Sequence, residues 1–169
     1  SGGYYIACQA DTIVAHPATI TGSIGVIGFR PNFSKLLNKI GIRSDIIKKG
    51  KHSDFWDGSR LTTDEDRKRV QAIINDIYEK FKNRVITGRD DMPKDANLDD
   101  VALGRVFTGQ RAKDGISIPL VDITGGLHDA IKVTKAAAGL EGKEVEIVEY
   151  PMPDNKYKEM AKILTTMRS

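Results

Sequence analysis

A single cysteine, a single tryptophan and three histidines stand in 169 residues, and nowhere is there an apolar run of the eighteen to twenty residues that cross a membrane. Each scarcity removes a class of protein. One cysteine, Cys8, forms no internal disulfide, and its apolar neighbours mark it as a small buried hydrophobe rather than a reactive thiol. Three scattered histidines, His16 at a strand end, His52 in a loop and His128 on a helix, read as structural rather than catalytic, and neither metal nor cofactor is expected. A large excess of one charge is missing too: 26 Lys and Arg face 23 Asp and Glu, and a net charge of +3 is too small and too dispersed to make nucleic acid or an anionic membrane the main partner.

What is present fits a globular α/β chain of one-domain size. The opening stretch, Ser1-Gly2-Gly3 followed by an apolar run, reads as a buried helix entered through glycines. "DTIVAHP" reads as a short strand closed by Pro17, and "ATITGSIGVIG" as two strands with tight bends. "NFSKLLNKIGI" has helical spacing with Gly41 as its stop, and "SDIIKKG" returns to strand before the polar loop "KHSDFWDGSR". Thr62-x-x-Glu65 has the form of a capping box, and Val70, Ile73, Ile74, Ile77, Tyr78, Phe81 and Val85 make one apolar stripe of a long helix ending near Gly88. A loop then leads to a short helix, and a further helix is capped by Thr108 and stopped by Gly115. "ISIPLVDI" predicts an edge or bulged strand, residues 125–139 a helix ended by Gly139, and "KEVEIVEYP" a half-buried strand. Residues 151–169 carry a weak amphipathic pattern, expected to be a terminal helix that packs on a partner as an assembly element.

The serine at the edge of the first helix has two readings. It is an ordinary helix N-cap, or it is a nucleophile placed beside unpaired backbone N–H groups and the positive end of a helix dipole. The tripeptide alone favours the cap. The longer stretch "SGGYYIACQADTIVAHPATITGSIGVIG" resembles, nearly position by position, the nucleophile segment of the signal peptide peptidase A (protease IV) family, and "GRVFTGQRAKDGISIPLVDITGGLHDAI" is similar to that family's later segment.

The resemblance spans roughly residues 1–150 and implies a ClpP/crotonase-like α/β spiral fold, here a fragment without the N-terminal part of the domain. It implies a serine endopeptidase of hydrophobic peptides such as released signal peptides, working through a Ser–Lys dyad. Ser1 matches the nucleophile, Ser23 the second serine that orients the lysine, and Gly2 the residue whose N–H serves the oxyanion hole. It further implies rings or bowls of subunits, with membrane association on the extracytoplasmic or periplasmic face through a segment outside this chain.

One position departs from the family. Where single-domain members carry a Gly-x-x-Lys pattern, this chain reads Gly50-Lys51-His52-Ser53, so Ser53 stands at the lysine's place. Two explanations compete: the chain is the C-terminal half of a tandem protein whose other half, or a neighbouring protomer, supplies the lysine, or Lys51 or Lys49 serves as base after a local shift. A catalytically silent, assembly or substrate-presenting half is the rival from another class. An acyl-CoA enzyme on the related crotonase fold is disfavoured, because its oxyanion-hole signature has no counterpart here.

Overall fold

The computed structural model describes residues 1–89, 92, 96–148 and 150. The chain divides into two compact units, residues 1–131 and 132–169. The elements are mixed helix and strand, as the α/β reading expects: α1 Gly2–Ala7, β1 Val14–Ala15, β2 Ile20–Gly22, α2 Ser34–Lys39, α3 Asp64–Gly88, β3 Val106–Thr108, α4 Gly109–Asp114, β4 Ile123–Thr124 and α5 Leu127–Ala137, with a 3-10 turn at Leu98–Asp100.

In the first unit β1 runs parallel to β4, with Val14 opposite Ile123, and β2 runs antiparallel to β3, with Thr21 opposite Phe107. The core gathers around these short pairs. Cys8, Ile24, Val85, Val101, Ala112, Ile118 and Leu120 are fully buried, and Tyr4, Phe81 and Phe107 close the cluster. The Cys8 thiol is a packed apolar group whose pKa burial pushes up. Helices α1 and α3 approach so closely that Gly88 lies against the Cys8 carbonyl, where no Cβ fits. Where the chain returns from α3 to the strands, Asp122 accepts from the Ile13 N–H at 2.6 Å and from the Arg89 guanidinium, which is itself buried.

Several predicted helices form as expected. Ser1 is the N-cap position of α1, Thr108 Oγ1 accepts from the Arg111 N–H to open α4, and Gly115 ends it. In the second unit the end of α5 is closed at Gly139, which takes φ +64°, and the Lys135 ammonium donates to the Lys143 carbonyl at 2.6 Å.

The cap of α3 is one residue later than predicted. Thr63, not Thr62, accepts from the Asp66 N–H, and Asp66, not Glu65, accepts from the Thr63 N–H. The run "TTDED" offers both registers, and arginines decide between them. Arg30 donates to Thr62 Oγ1 at 2.8 Å, while Arg60 holds Asp66 through two bonds of 2.6 and 3.0 Å.

Three predicted strands do not form. The part of 18–28 beyond Gly22, residues 44–50 and the described part of 143–151 are irregular, and among the described residues no strand pairs with them, the Gly104 N–H to Ile24 carbonyl bond being a turn contact. Alternating apolar residues are a strand only when a neighbour takes up their N–H and C=O groups, and here Ile27, Ile47 and Ile147 stay exposed. "ISIPLVDI" shrinks to Ile123–Thr124, since Pro119 has no N–H to donate and Leu120 bonds back to Ala112 at 2.8 Å instead. The terminal helix predicted for 151–169 lies outside the described residues.

The loop that precedes α3 is held by charge. Asp54 receives Lys48 at 2.8 Å and Arg60 at 2.7 Å, and these two bonds hold its carboxyl down at about 2; Arg60 likewise holds Asp66 far below the usual carboxylate range. Both carboxyls bind protons less readily folded than unfolded, where the value is about 3.9. The stability they confer is therefore complete above about pH 4 and is lost as pH falls toward their folded values. Thermal melting followed between pH 5 and 2 should show a falling midpoint, and Asp54→Asn should lower it at neutral pH and flatten that acid slope. Thr63→Ala removes the side-chain acceptor at the head of α3 and should cost about 1 kcal/mol in denaturant unfolding.

Candidate active site

Ser1 stands, exposed, at the mouth of a cleft of about 860 Å³ whose walls come from four places in the sequence. The head of α1 contributes Ser1, Gly2 and Tyr5; the segment after β2 contributes Ser23, Gly25, Val26 and Ile27; α3 contributes Ile74, Asn75, Ile77, Tyr78 and Phe81; and a turn contributes Leu103 and Gly104. Most of these side chains are apolar, with Asn75 and the two serines as polar exceptions.

Backbone geometry, rather than side-chain contact, joins the two serines. The Ser1 nitrogen donates to the Gly22 carbonyl at 2.7 Å, which sets the head of α1 beside the residue before Ser23. Gly22 and Ser23 both take left-handed conformations, φ +77° and +51°, and so do Leu103 and Gly104 opposite them, +58° and +74°. Two bonds lock these reversed turns together: Ser23 N–H to Arg105 O at 2.7 Å and Gly104 N–H to Ile24 O at 2.9 Å. The two turns come so near that a Cβ on Gly25 would meet the Gly104 Cα at 2.8 Å. A serine at positive φ stores of order 1–3 kcal/mol, and such strain concentrates where a side chain must point in one direction.

The floor is aromatic. Tyr5 meets Phe81 edge-on, ring centroids 5.1 Å apart, and Arg84 lies over the Tyr5 ring while donating to the Tyr5 carbonyl. Tyr78 accepts the Leu103 N–H at 3.2 Å, so α3 holds the turn as well as lining the cleft. Gly2 and Gly3 open the first turn of α1, and a Cβ on either would meet nothing within 4 Å, so a substrate backbone has open access to their N–H groups. Chemically the arrangement offers a hydroxyl, the accessible Gly2 and Gly3 N–H groups beside it, a second hydroxyl and an apolar trough.

The other sequence-predicted residues lie apart. Lys51 does not line the cleft; its ammonium, in a side chain 76% exposed, pairs with Glu65 at 3.3 Å, where His52 also meets Glu65. Ser53, at the position of the family's lysine, donates to the Gly50 carbonyl at 3.1 Å. Among the described residues no lysine and no histidine lines the cleft. The sequence reading finds the apolar stripe of α3 but not its role as a wall, and only Phe81 and Val85 of that stripe are buried.

Residues 1–141 match Peptidase family S49. A Synechocystis protein named as a protease is 38% identical over 155 residues, covering 90% of this chain and 54% of that protein. The chloroplastic serine protease SPPA of Arabidopsis thaliana is 37% identical over 155 residues, covering 90% of this chain and 22% of its own length. An Enterococcus faecium protein named as a signal peptide peptidase SppA is 34% identical over 151 residues, covering 89% and 42%. The chain thus spans between about a fifth and a half of the relatives it matches.

Strain at Ser23 gives a direct test. Ser23→Gly removes the conformational penalty together with the hydroxyl, so stability should hold or rise by up to about 1 kcal/mol. A loss of more than that in denaturant unfolding would show that the hydroxyl serves the fold rather than the cleft.

Proposed function

Because the chain belongs to Peptidase family S49, we propose that it is the nucleophile-bearing part of a serine endopeptidase that cleaves apolar peptides, released signal peptides among them. The observation that carries this reading is the cleft that gathers Ser1, Gly2 and Ser23 against the apolar side of α3. In the proposed whole, residues 1–150 form the C-terminal portion of a ClpP/crotonase-like spiral domain and 151–169 an assembly element. The working site faces the extracytoplasmic or periplasmic side of a membrane reached through a segment outside this chain; among the described residues no helix is long and apolar enough to cross one.

The chemistry follows from the residues. A neutral lysine takes the Ser1 proton as Oγ attacks the scissile carbonyl carbon, and the Gly2 N–H donates to the oxyanion that forms. The lysine then returns the proton to the leaving amine, and a water activated the same way releases the acyl group from Ser1. Ser23 orients the lysine by hydrogen bonding. Lys51 is a weak choice for the base, since its exposed ammonium is paired with Glu65 and it does not line the cleft. The base is therefore assigned to another half of a tandem protein or to a neighbouring protomer, with Lys51 as the local alternative.

That no lysine or histidine among the described residues lines the cleft favours a second reading, a non-catalytic half that shapes an assembly or presents substrate. A fluorophosphonate probe separates the two. In the full-length protein Ser1 should label and Ser1→Ala should abolish labelling, whereas Lys51→Ala should leave it within about twofold if the base comes from elsewhere. An unlabelled Ser1 in the full-length protein removes the peptidase reading for this part.

A further inference from the structure

Away from the cleft, a second apolar surface lies around α2. A groove of about 460 Å³ opens between Phe29, Phe33, Leu36, Leu37 and Trp56, and Phe29 is 86% exposed. Ile40 and Ile42 continue it past the end of the helix, both exposed, with the Ile42 N–H tied to the Leu37 carbonyl at 2.9 Å. Cations are interleaved with these residues. Segment 27–51 holds seven Lys and Arg against the one acid Asp45, a net +6 in a chain whose total is +3. The small overall charge hides this polarity, because the remaining residues carry a net negative charge. Lys35, Lys39 and Arg43 are exposed and make no ion pair among the described residues, unlike Lys48 and Lys51, which Asp54 and Glu65 neutralise.

We infer that this face seats the protein on an anionic lipid bilayer, with the α2 residues and Trp56 in the headgroup boundary and Lys35, Lys39 and Arg43 against lipid phosphates. The composition argues for lipid over a protein partner. Lysine is depleted from the cores of protein interfaces, and two copies meeting through this face would set like charges together. A bilayer surface instead accepts a lysine stem along its apolar layer with the ammonium in the headgroups, and favours an aromatic ring at the boundary. The cleft adjoins this face along the chain, Val26 and Ile27 lining one and Phe29 the other. Peptides held at a membrane surface would thus be presented beside Ser1. The bilayer contact itself is independent of the peptidase reading, and of any spanning segment.

Trp56, the only tryptophan, reports on this surface alone. The 169-residue chain is mixed with vesicles of phosphatidylcholine, or of phosphatidylcholine with 30% phosphatidylglycerol, and followed by co-sedimentation and Trp56 emission. Binding and a blue shift are expected with the anionic vesicles only, weakening at least tenfold between 50 and 500 mM NaCl. The triple variant Lys35→Glu, Lys39→Glu, Arg43→Glu should lose both, with an unchanged melting temperature, while Ser1→Ala should keep both. Equal binding to neutral vesicles, binding without a Trp56 shift, or a shift that appears with protein concentration in the absence of lipid would each overturn the proposal, the last assigning the face to a second copy. The salt dependence of the unmodified chain decides the matter even if the triple variant misfolds.

Discussion

Asp122 is the point on which the described fold turns. Its carboxylate takes the N–H of Ile13 at the start of β1 and the guanidinium of Arg89, just past the end of α3, and its own segment continues into β4. Burial pushes this carboxyl up, and the bonds from Arg89 and the Ile13 N–H more than offset that, holding it ionised and below its ordinary value. One ion pair, with Arg89 buried and Asp122 half-buried, thus fixes where a 25-residue helix meets two short parallel strands. With strands of two and three residues the sheets are too small to set that angle by themselves.

The cleft follows from that placement. Because the C-terminal end of α3 is pinned and packed, through Phe81, Val85 and Gly88, its earlier turns run out past the core and present Ile74, Ile77 and Tyr78 as a wall. The opposite wall is two reversed turns bonded to each other, at Gly22-Ser23 and Leu103-Gly104. Neither turn relaxes without breaking the other. Strain at Ser23 is therefore maintained by the pairing of β2 with β3 rather than by anything local to the serine.

Charge is distributed to match. Acids and bases near the head of α3 neutralise one another: Asp54, Asp66 and Glu65 take up Arg60, Lys48 and Lys51. Lysines committed there are structural cations, which is why Lys51, close to the expected position in sequence, is remote in chemistry from Ser1. Cations left over on α2 and its exit face solvent beside exposed aliphatic and aromatic groups, and an electrostatic partner is what such a surface lacks.

Much of the local structure was legible because it depends on residues near in sequence. The helices of α1, α3, α4 and α5, the Thr108 cap and the Gly139 stop follow from periodicity and capping chemistry acting within a few residues. The segment around Ser1 and Ser23 pointed to the family by pattern alone, and residues 1–141 bear that out. Other features rested on distant partners and could not be read. Which threonine caps α3 is decided by Arg30 and Arg60, whether 44–50 and the described part of 143–151 are strands by whether any strand pairs with them, and whether Ile77 is core or cleft by where Asp122 holds the end of the helix. Sequence by itself determined most of the helices and the family, with Ser53 where a lysine was expected, since these are properties of adjacent residues. Only the tertiary structure decided what faces Ser1, because a cleft is made of segments that meet solely through long-range hydrogen bonds and packing.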